Sequence, residues 1–197
     1  ILLPVSSLPG PWGIGTLGKE ARQFVDFLAA AGQTYWQILP VGPTGYGDSP
    51  YQSFSAFAAN PYFIDPDTLI ARGLLTEEEA GADWGEDPAR VDYGALYAHR
   101  HALLQKAADR LPAGDAGFTH WKEKQSDWLE DYSLFMALKE ENDQQSWTCW
   151  PDEVRLRRPD ALERARKRLA GRVDYWRKIQ YLFYCQWAAL LEYAHGK

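Results

Sequence analysis

The sequence predicts an α/β protein of mostly helical content: the opening part of a (β/α)8 barrel carrying a large, mainly helical insertion. Three observations point there. Two short apolar runs, Ile1–Val5 and Tyr35–Leu39, flank a stretch of helical periodicity, the order that pairs strands in parallel through a right-handed crossover. Beyond Pro66 the periodicity is helical almost to the last residue. Two strands alone leave both outer edges unpaired, and a closed barrel needs roughly 250 residues against the 197 present. Periodicity by itself is met equally by other α/β folds, so the barrel rests on the architectural argument.

Taken in order, Ile1–Val5 reads as a buried strand stopped by Ser6, Ser7, Pro9, Gly10 and Pro11. Thr16 is placed to cap a helix with apolar positions Leu17, Ala21, Phe24, Val25 and Leu28; Glu20 favours its positive end and Gly32 stops it. Tyr35–Leu39 is the second strand, closed by Pro40, and a turn-rich loop follows from Val41 to Asn60. Thr76 and Glu79 have capping-box spacing, and Asp92 is placed to cap a helix over Tyr93–Leu111. Further helical stretches cover about 118–139 and 161–194, the last with Trp176, Ile179, Phe183, Trp187 and Leu190 as its apolar stripe. Two regions result: 1–65, a first β-α-β portion with its long loop, and 66–197, a helical insertion ending in a long helix that leads toward the next barrel strand.

Composition narrows the function classes. Hydrophobic residues at 46% and charged residues at 24% are ordinary globular usage, which excludes wholesale disorder. A formal charge of −6 argues against general nucleic-acid binding, and no apolar run approaches the roughly 20 residues of a membrane span. The start lacks the basic and apolar regions of a signal peptide and reads as a chain cut just before a strand. Cys149 and Cys185 lack CxxC spacing and are expected as buried thiols of a reducing compartment. The unusual figure is 14% aromatic residues, whose flat apolar faces with polar edges suit a core, an interface or a sugar platform.

Four motifs invite a functional reading. Gly13–Gly18 fits GxGxxG, but seven residues separate it from Val5, and Ile38-Leu39-Pro40 stands where a dinucleotide site needs an acid. Its glycines are better read as room for a tight turn. The cations between Arg155 and Lys178 are interrupted by Asp160, Glu163 and Asp174, which favours a solvated face partly paired with acids. His99, His101, His120 and His195 have no zinc spacing. The loop Gly45-Tyr46-Gly47-Asp48-Ser49-Pro50-Tyr51-Gln52 is the most informative stretch. It follows the carboxyl end of a predicted parallel strand, where barrel enzymes keep their sites, and offers aromatic faces beside hydrogen-bonding groups, as a pyranose requires. Chemistry alone leaves a sugar-binding wall and a rigid structural loop evenly matched. A single Asp is not the carboxylate pair of glycoside chemistry.

The segments Leu2–Gly15, Trp36–Thr44, Tyr46–Gln52, Ser53–Phe57, Asn60–Tyr62, Val91–Tyr93, Trp128–Tyr132 and Gln186–Leu190 resemble the N-terminal portion of the 4-alpha-glucanotransferases, the amylomaltase or disproportionating-enzyme family. The resemblance covers the whole chain. It implies a cytoplasmic, cofactor-free enzyme of (β/α)8 fold that moves α-1,4-glucan segments to glucose or glucan acceptors with retention. It also implies no metal, and neither a nucleic-acid nor a membrane partner. The family's catalytic carboxylates match no residue of this chain; Asp48, Asp65, Asp67 and Asp92 all lie outside the relevant motifs. What carries over is substrate binding. Tyr51 matches a tyrosine beside the scissile-bond subsites, with Asp48 and Ser49 shaping that wall, and Tyr46 and Tyr97 match a pair that in some members flanks a second glucan groove. The chain alone is therefore expected to be inactive and to self-associate through exposed edges. A non-catalytic maltooligosaccharide-binding module and a helical interaction protein are the competing readings.

Overall fold

The computed structural model describes every residue of 1–197 except Tyr46, Glu86 and Pro88. Among the described residues the chain is mostly helical: α1 (Lys19–Ala30), α2 (Pro66–Ala71), α3 (Glu77–Ala80), α4 (Tyr93–Arg110), α5 (Ala116–Lys124), α6 (Ser126–Glu141), α7 (Asp152–Arg155), α8 (Pro159–Arg168) and α9 (Ala170–His195). It divides into two compact units, residues 1–112 with 182–197, and residues 113–181.

In the first unit the two predicted strands meet in parallel, but their ladder is a single bridge between Leu2 and Gln37. The Leu3 N–H donates to the Gln37 carbonyl at 3.0 Å and the Gln37 N–H to the Ile1 carbonyl at 2.8 Å. The pairing goes no further. The Leu3 carbonyl, the next acceptor in this register, takes the Trp36 indole N–H at 2.8 Å, and Val5–Ser7 winds into a 3₁₀ turn instead of continuing the strand. Ile1, Leu2 and Tyr35 stay exposed, Tyr35 at 82%.

Helix α1 buries Ala21, Val25 and Leu28 along one face and stops before Gly32, whose φ of +68° suits the left-handed helix terminus. Its N-cap is Gly18 rather than the expected Thr16. The Thr16 hydroxyl instead donates to Asp65 Oδ1 at 2.9 Å, a buried bond that outcompetes a local cap. Gly18 is required by close approach, because a Cβ there would lie 2.3 Å from the Asp65 carboxyl.

Asp65 is also the N-cap of α2, accepting from the Thr68 N–H at 2.8 Å and its hydroxyl at 2.7 Å. Gln186 on α9 completes the junction. Its Oε1 accepts from the Asp65 N–H at 2.7 Å and its Nε2 donates to the Asp65 carbonyl at 3.1 Å. The expected capping box at Thr76 and Glu79 is formed, as is the Asp92 cap of α4. Helix α4 buries Leu96, Leu103, Leu104 and Ala107 together with Arg100. The Arg100 guanidinium donates to the Trp12 carbonyl at 2.6 Å and lies 4.5 Å from the Trp84 ring centre. Burial lowers its pKa to about 10, against the opposing pull of Asp65.

In the second unit the helical stretch expected over 118–139 is two helices, α5 and α6, broken at Gln125. With ψ at +12°, Gln125 leaves helical geometry, and its Oε1 accepts from the Trp128 indole at 2.8 Å, so Trp121 and Trp128 meet edge-to-face. The last stretch likewise breaks at Leu169 between α8 and α9. The core gathers Leu134, Leu138, Trp150, Leu162, Ala165 and Val173. Burying each leucine contributes roughly 1.5–3 kcal/mol. The basic segment pairs with acids, as in Arg172 with Glu140, Arg168 with Glu141 and Arg157 with Asp131. Both cysteines are free, but neither is buried as expected: Cys149 is exposed on a 3₁₀ turn and Cys185 is half-buried.

A candidate sugar-binding wall in the first unit

A few hydrogen bonds of its own close the loop from Val41 to Asn60. The Asn60 N–H donates to the Val41 carbonyl at 2.8 Å, closing the loop at its base, and the buried Asn60 Oδ1 accepts from the Tyr62 N–H. Ser55 Oγ accepts from the N–H groups of Phe57 and Ala58, and the Ser53 hydroxyl donates to the Ser55 carbonyl. Two turns follow each other at the tip: Asp48 N–H to the Gly45 carbonyl at 3.1 Å, then Gln52 N–H to the Ser49 carbonyl at 3.1 Å. Asp48 stands at φ +54°, a left-handed conformation that Asp tolerates better than most residues.

This folding turns the candidate residues to two places. Asp48, half-buried, lines a small cavity with Ser6, Asn60 and Tyr93. Burial raises its carboxyl pKa while a hydrogen bond from Thr44 opposes the rise. Its Oδ1 is buried and takes no hydrogen bond among the described residues. Three phenols share its field. Tyr62 and Tyr97 meet edge-to-face at 5.9 Å between ring centres and are joined through their hydroxyls. Burial, helped by the Asp48 charge, pushes the Tyr62 phenol far above its ordinary range and raises Tyr93 and Tyr97 less far. All three therefore remain neutral hydroxyls, able both to donate and to accept.

Tyr51 stands apart. It is 73% exposed and lines an open groove of about 710 Å³ with Phe54, Phe57, Phe183, Tyr184 and Trp187. Pro40–Gly42 and Pro50 line both the groove and the Asp48 cavity, forming the partition between them. The Tyr184 hydroxyl donates to the Phe57 carbonyl, tying the loop to α9. Ser49 turns inward to the loop, its Oγ accepting from the Tyr51 N–H at 3.4 Å. Tyr46 lies outside the described residues. Sequence reasoning missed Tyr62, Tyr93 and Tyr184 as members of these surfaces. Tyr62 and Tyr93 lie in family-like segments but had no role read from them, Tyr184 had only helical periodicity as a signal, and which way a helix turns its phenol is settled by packing.

Among the described residues no Asp or Glu lines the groove, and Asp48 alone lines the cavity. No cluster of three metal-ligating side chains occurs among them. Of the histidines, His99 packs edge-on to Trp84 and His101 lies against Tyr62, while His120 and His195 are exposed. The arrangement presents aromatic faces and neutral hydroxyls, which can hold a polyol but cannot by themselves supply a nucleophile and an acid.

A family profile described as 4-alpha-glucanotransferase matches residues 3–197. The chain is 45% identical over 195 residues to a 4-alpha-glucanotransferase of Clostridium butyricum, covering 98% of this chain and 40% of the relative. It is 48% identical to the Thermus thermophilus 4-alpha-glucanotransferase, covering 96% of this chain and 38% of the relative. Among solved structures, the amylomaltase from Streptococcus agalactiae in complex with acarbose superposes with a TM-score of 0.94 at 39% identity, covering all of this chain and 40% of that one. The chain thus spans about 40% of the length of the relatives it matches. With a family match over nearly its whole length and relatives this similar, the chain belongs to the 4-alpha-glucanotransferase family.

Proposed function

We propose that this chain supplies part of the glucan-binding wall of an enzyme that transfers α-1,4-glucan segments to glucose or glucan acceptors with retention. Residues 1–65 would be the opening β-α-β portion of its (β/α)8 barrel and 66–197 a helical insertion. The single observation that carries the reading is the aromatic groove at Tyr51, beside the cavity lined by Asp48 and the Tyr93 phenol, in a chain so similar to glucanotransferases. The acarbose complex of the Streptococcus neighbour supports it.

In retaining transfer one carboxylate attacks the anomeric carbon while a second carboxyl protonates the departing oxygen. The acceptor hydroxyl then attacks the glycosyl ester and returns a proton to that second group. The residues of this chain do neither. Tyr51, with the loop shaped by Asp48 and Ser49, would offer an apolar face to a sugar ring next to the scissile bond. Tyr46 and Tyr97 would flank a second stretch of glucan. Walls of this kind hold the acceptor in reach of the intermediate and keep water away, which favours transfer over hydrolysis. The cytoplasm is the proposed compartment. The exposed edge at Ile1, Leu2 and Tyr35 is the proposed route to self-association.

Titration of the 197-residue chain with maltoheptaose, followed by calorimetry, should show binding that Tyr51→Ala weakens about tenfold. The same protein should release no glucose from maltotriose. Turnover by the chain alone would overturn the assignment. Binding untouched by Tyr51→Ala would remove that residue from the wall.

A further inference from the structure

Of the nine tryptophans, all described, Trp147 alone is exposed, with 52% of its surface open. Its backbone is nonetheless held in place. It opens the 3₁₀ turn Trp147–Cys149, capped by Ser146, and the next indole, Trp150, is buried against Phe135 with its Nε1 donating to the Gln145 carbonyl. Trp147, Phe135 and Leu162 line a groove of about 300 Å³ within the second unit, at the lower end of the range for small-molecule sites. An exposed indole beside an apolar floor is a platform rather than a core residue.

The rim of the groove is polar, and its charges are neutralised. Arg157 donates to Asp131 at 2.7 Å and Arg155 to Asp152 at 2.7 Å, so each cation at the rim is balanced by a carboxylate. Arg157 reaches Asp131 from a left-handed conformation, φ +55°, at the end of α7, where glycine would cost less. Paired guanidinium and carboxylate groups beside an aromatic face offer both donors and acceptors to a neutral ligand whose hydroxyls surround apolar C–H faces.

We propose that this groove binds the pyranose rings of an α-glucan, with Trp147 as the stacking platform and the Asp131–Arg157 pair as the hydrogen-bonding rim. The proposal rests on the reading of this chain as one that handles α-glucans, and it adds a site that the wall at Tyr51 does not use.

Calorimetric titration of the chain with maltoheptaose, and with cellopentaose as the β-linked control, tests it in four forms: unsubstituted, Tyr51→Ala, Trp147→Ala, and both substitutions together. Circular dichroism verifies that each is folded. The binding that remains in Tyr51→Ala should weaken at least about fivefold when Trp147→Ala is added, and Trp147→Tyr should restore most of it. Equal affinity with and without the Trp147 indole would overturn the site while leaving the Tyr51 wall standing. Equal affinity for cellopentaose would overturn the α-glucan assignment of the groove. Absence of any maltoheptaose binding to the unsubstituted chain would overturn the broader reading and this site together.

Discussion

The two compact units solve the same problem, the satisfaction of polar groups, in opposite ways. In the unit of residues 1–112 and 182–197 much of the chain is loop, and a loop cannot satisfy its own backbone as a helix does. Five of the seven buried polar residues among those described lie there: Thr16, Asn60, Asp65, Arg100 and Gln186. Asn60 holds the Tyr62 N–H two residues on, while Thr16, Asp65, Arg100 and Gln186 are joined across 49 to 121 positions of sequence. In the unit of residues 113–181 helices close their own hydrogen bonds, so side-chain polarity is spent at the surface. Ten of the thirteen ion pairs among the described residues belong to it. The difference teaches that an irregular, site-bearing region depends on a few irreplaceable buried contacts, whereas a helical one spreads its stability over apolar packing and many weak pairs.

The sharpest way to break this contrast is Asp65→Ala. It removes the α2 cap and the acceptor of the Thr16 hydroxyl, and takes away the carboxylate that opposes the buried Arg100 charge. A loss of about 3–5 kcal/mol is expected in urea unfolding, with hydrogen exchange accelerated first around α1 and α2. A loss below about 1 kcal/mol would mean that the junction is not what holds the first unit.

In the second unit the matching experiment is apolar. Leu138→Ala opens a void beside Leu134, Trp150 and Leu162 and should cost about 2–4 kcal/mol. If removing a single surface arginine there proved as costly, the assignment of that unit's stability to packing would be wrong.

The same contrast decides what the sequence revealed. The Thr76–Glu79 box, the Asp92 cap and the stripe through Trp176, Ile179, Phe183 and Leu190 were legible because each is a local pattern of a few residues. The Asp65 junction was not. It joins positions 16, 65 and 186, and no periodicity encodes a bond across 121 residues. Thr16 misled for the same reason, since a tertiary acceptor took the hydroxyl that local rules assign to a cap. The strands shrank to one bridge because the Trp36 indole takes the Leu3 carbonyl and the chain turns at Val5–Ser7, neither of which an apolar run reveals. Loop chemistry and the family resemblance read Asp48, Ser49 and Tyr51 as one wall, whereas the structure gives Asp48 to the cavity and Tyr51 to the groove. The phenols of Tyr62, in the 3₁₀ turn Pro61–Phe63, and of Tyr93, at the start of α4, come near Asp48 only when turn and helix are packed together.

A surface pair in the first unit sharpens the comparison through pH. Glu79 bonds Arg110 through both carboxylate oxygens, at 2.5 and 2.8 Å, and Arg110 holds its pKa down to about 2. A carboxyl whose folded pKa is depressed stabilises the fold above its unfolded value of 4.5 and loses that contribution as pH falls toward 2. Glu79→Gln keeps a side chain able to complete the capping box but removes the charge. Its melting temperature should fall below that of the unsubstituted chain at pH 7, and the two should converge near pH 2. A gap that persists in acid would assign the effect to the cap and not to the ion pair.

The smallest effect is expected where the second unit is most charged. Arg164 pairs with both Glu153 and Asp160, yet all three side chains are more than half exposed, so water and salt screen the attraction. Arg164→Ala removes both pairs while keeping a good helix former within α8. Urea unfolding should register a change of no more than about 0.5 kcal/mol, shrinking further as ionic strength rises. A loss of about 2 kcal/mol would make these pairs a cooperative network and would erase the distinction between a unit held by buried polar contacts and one held by packing.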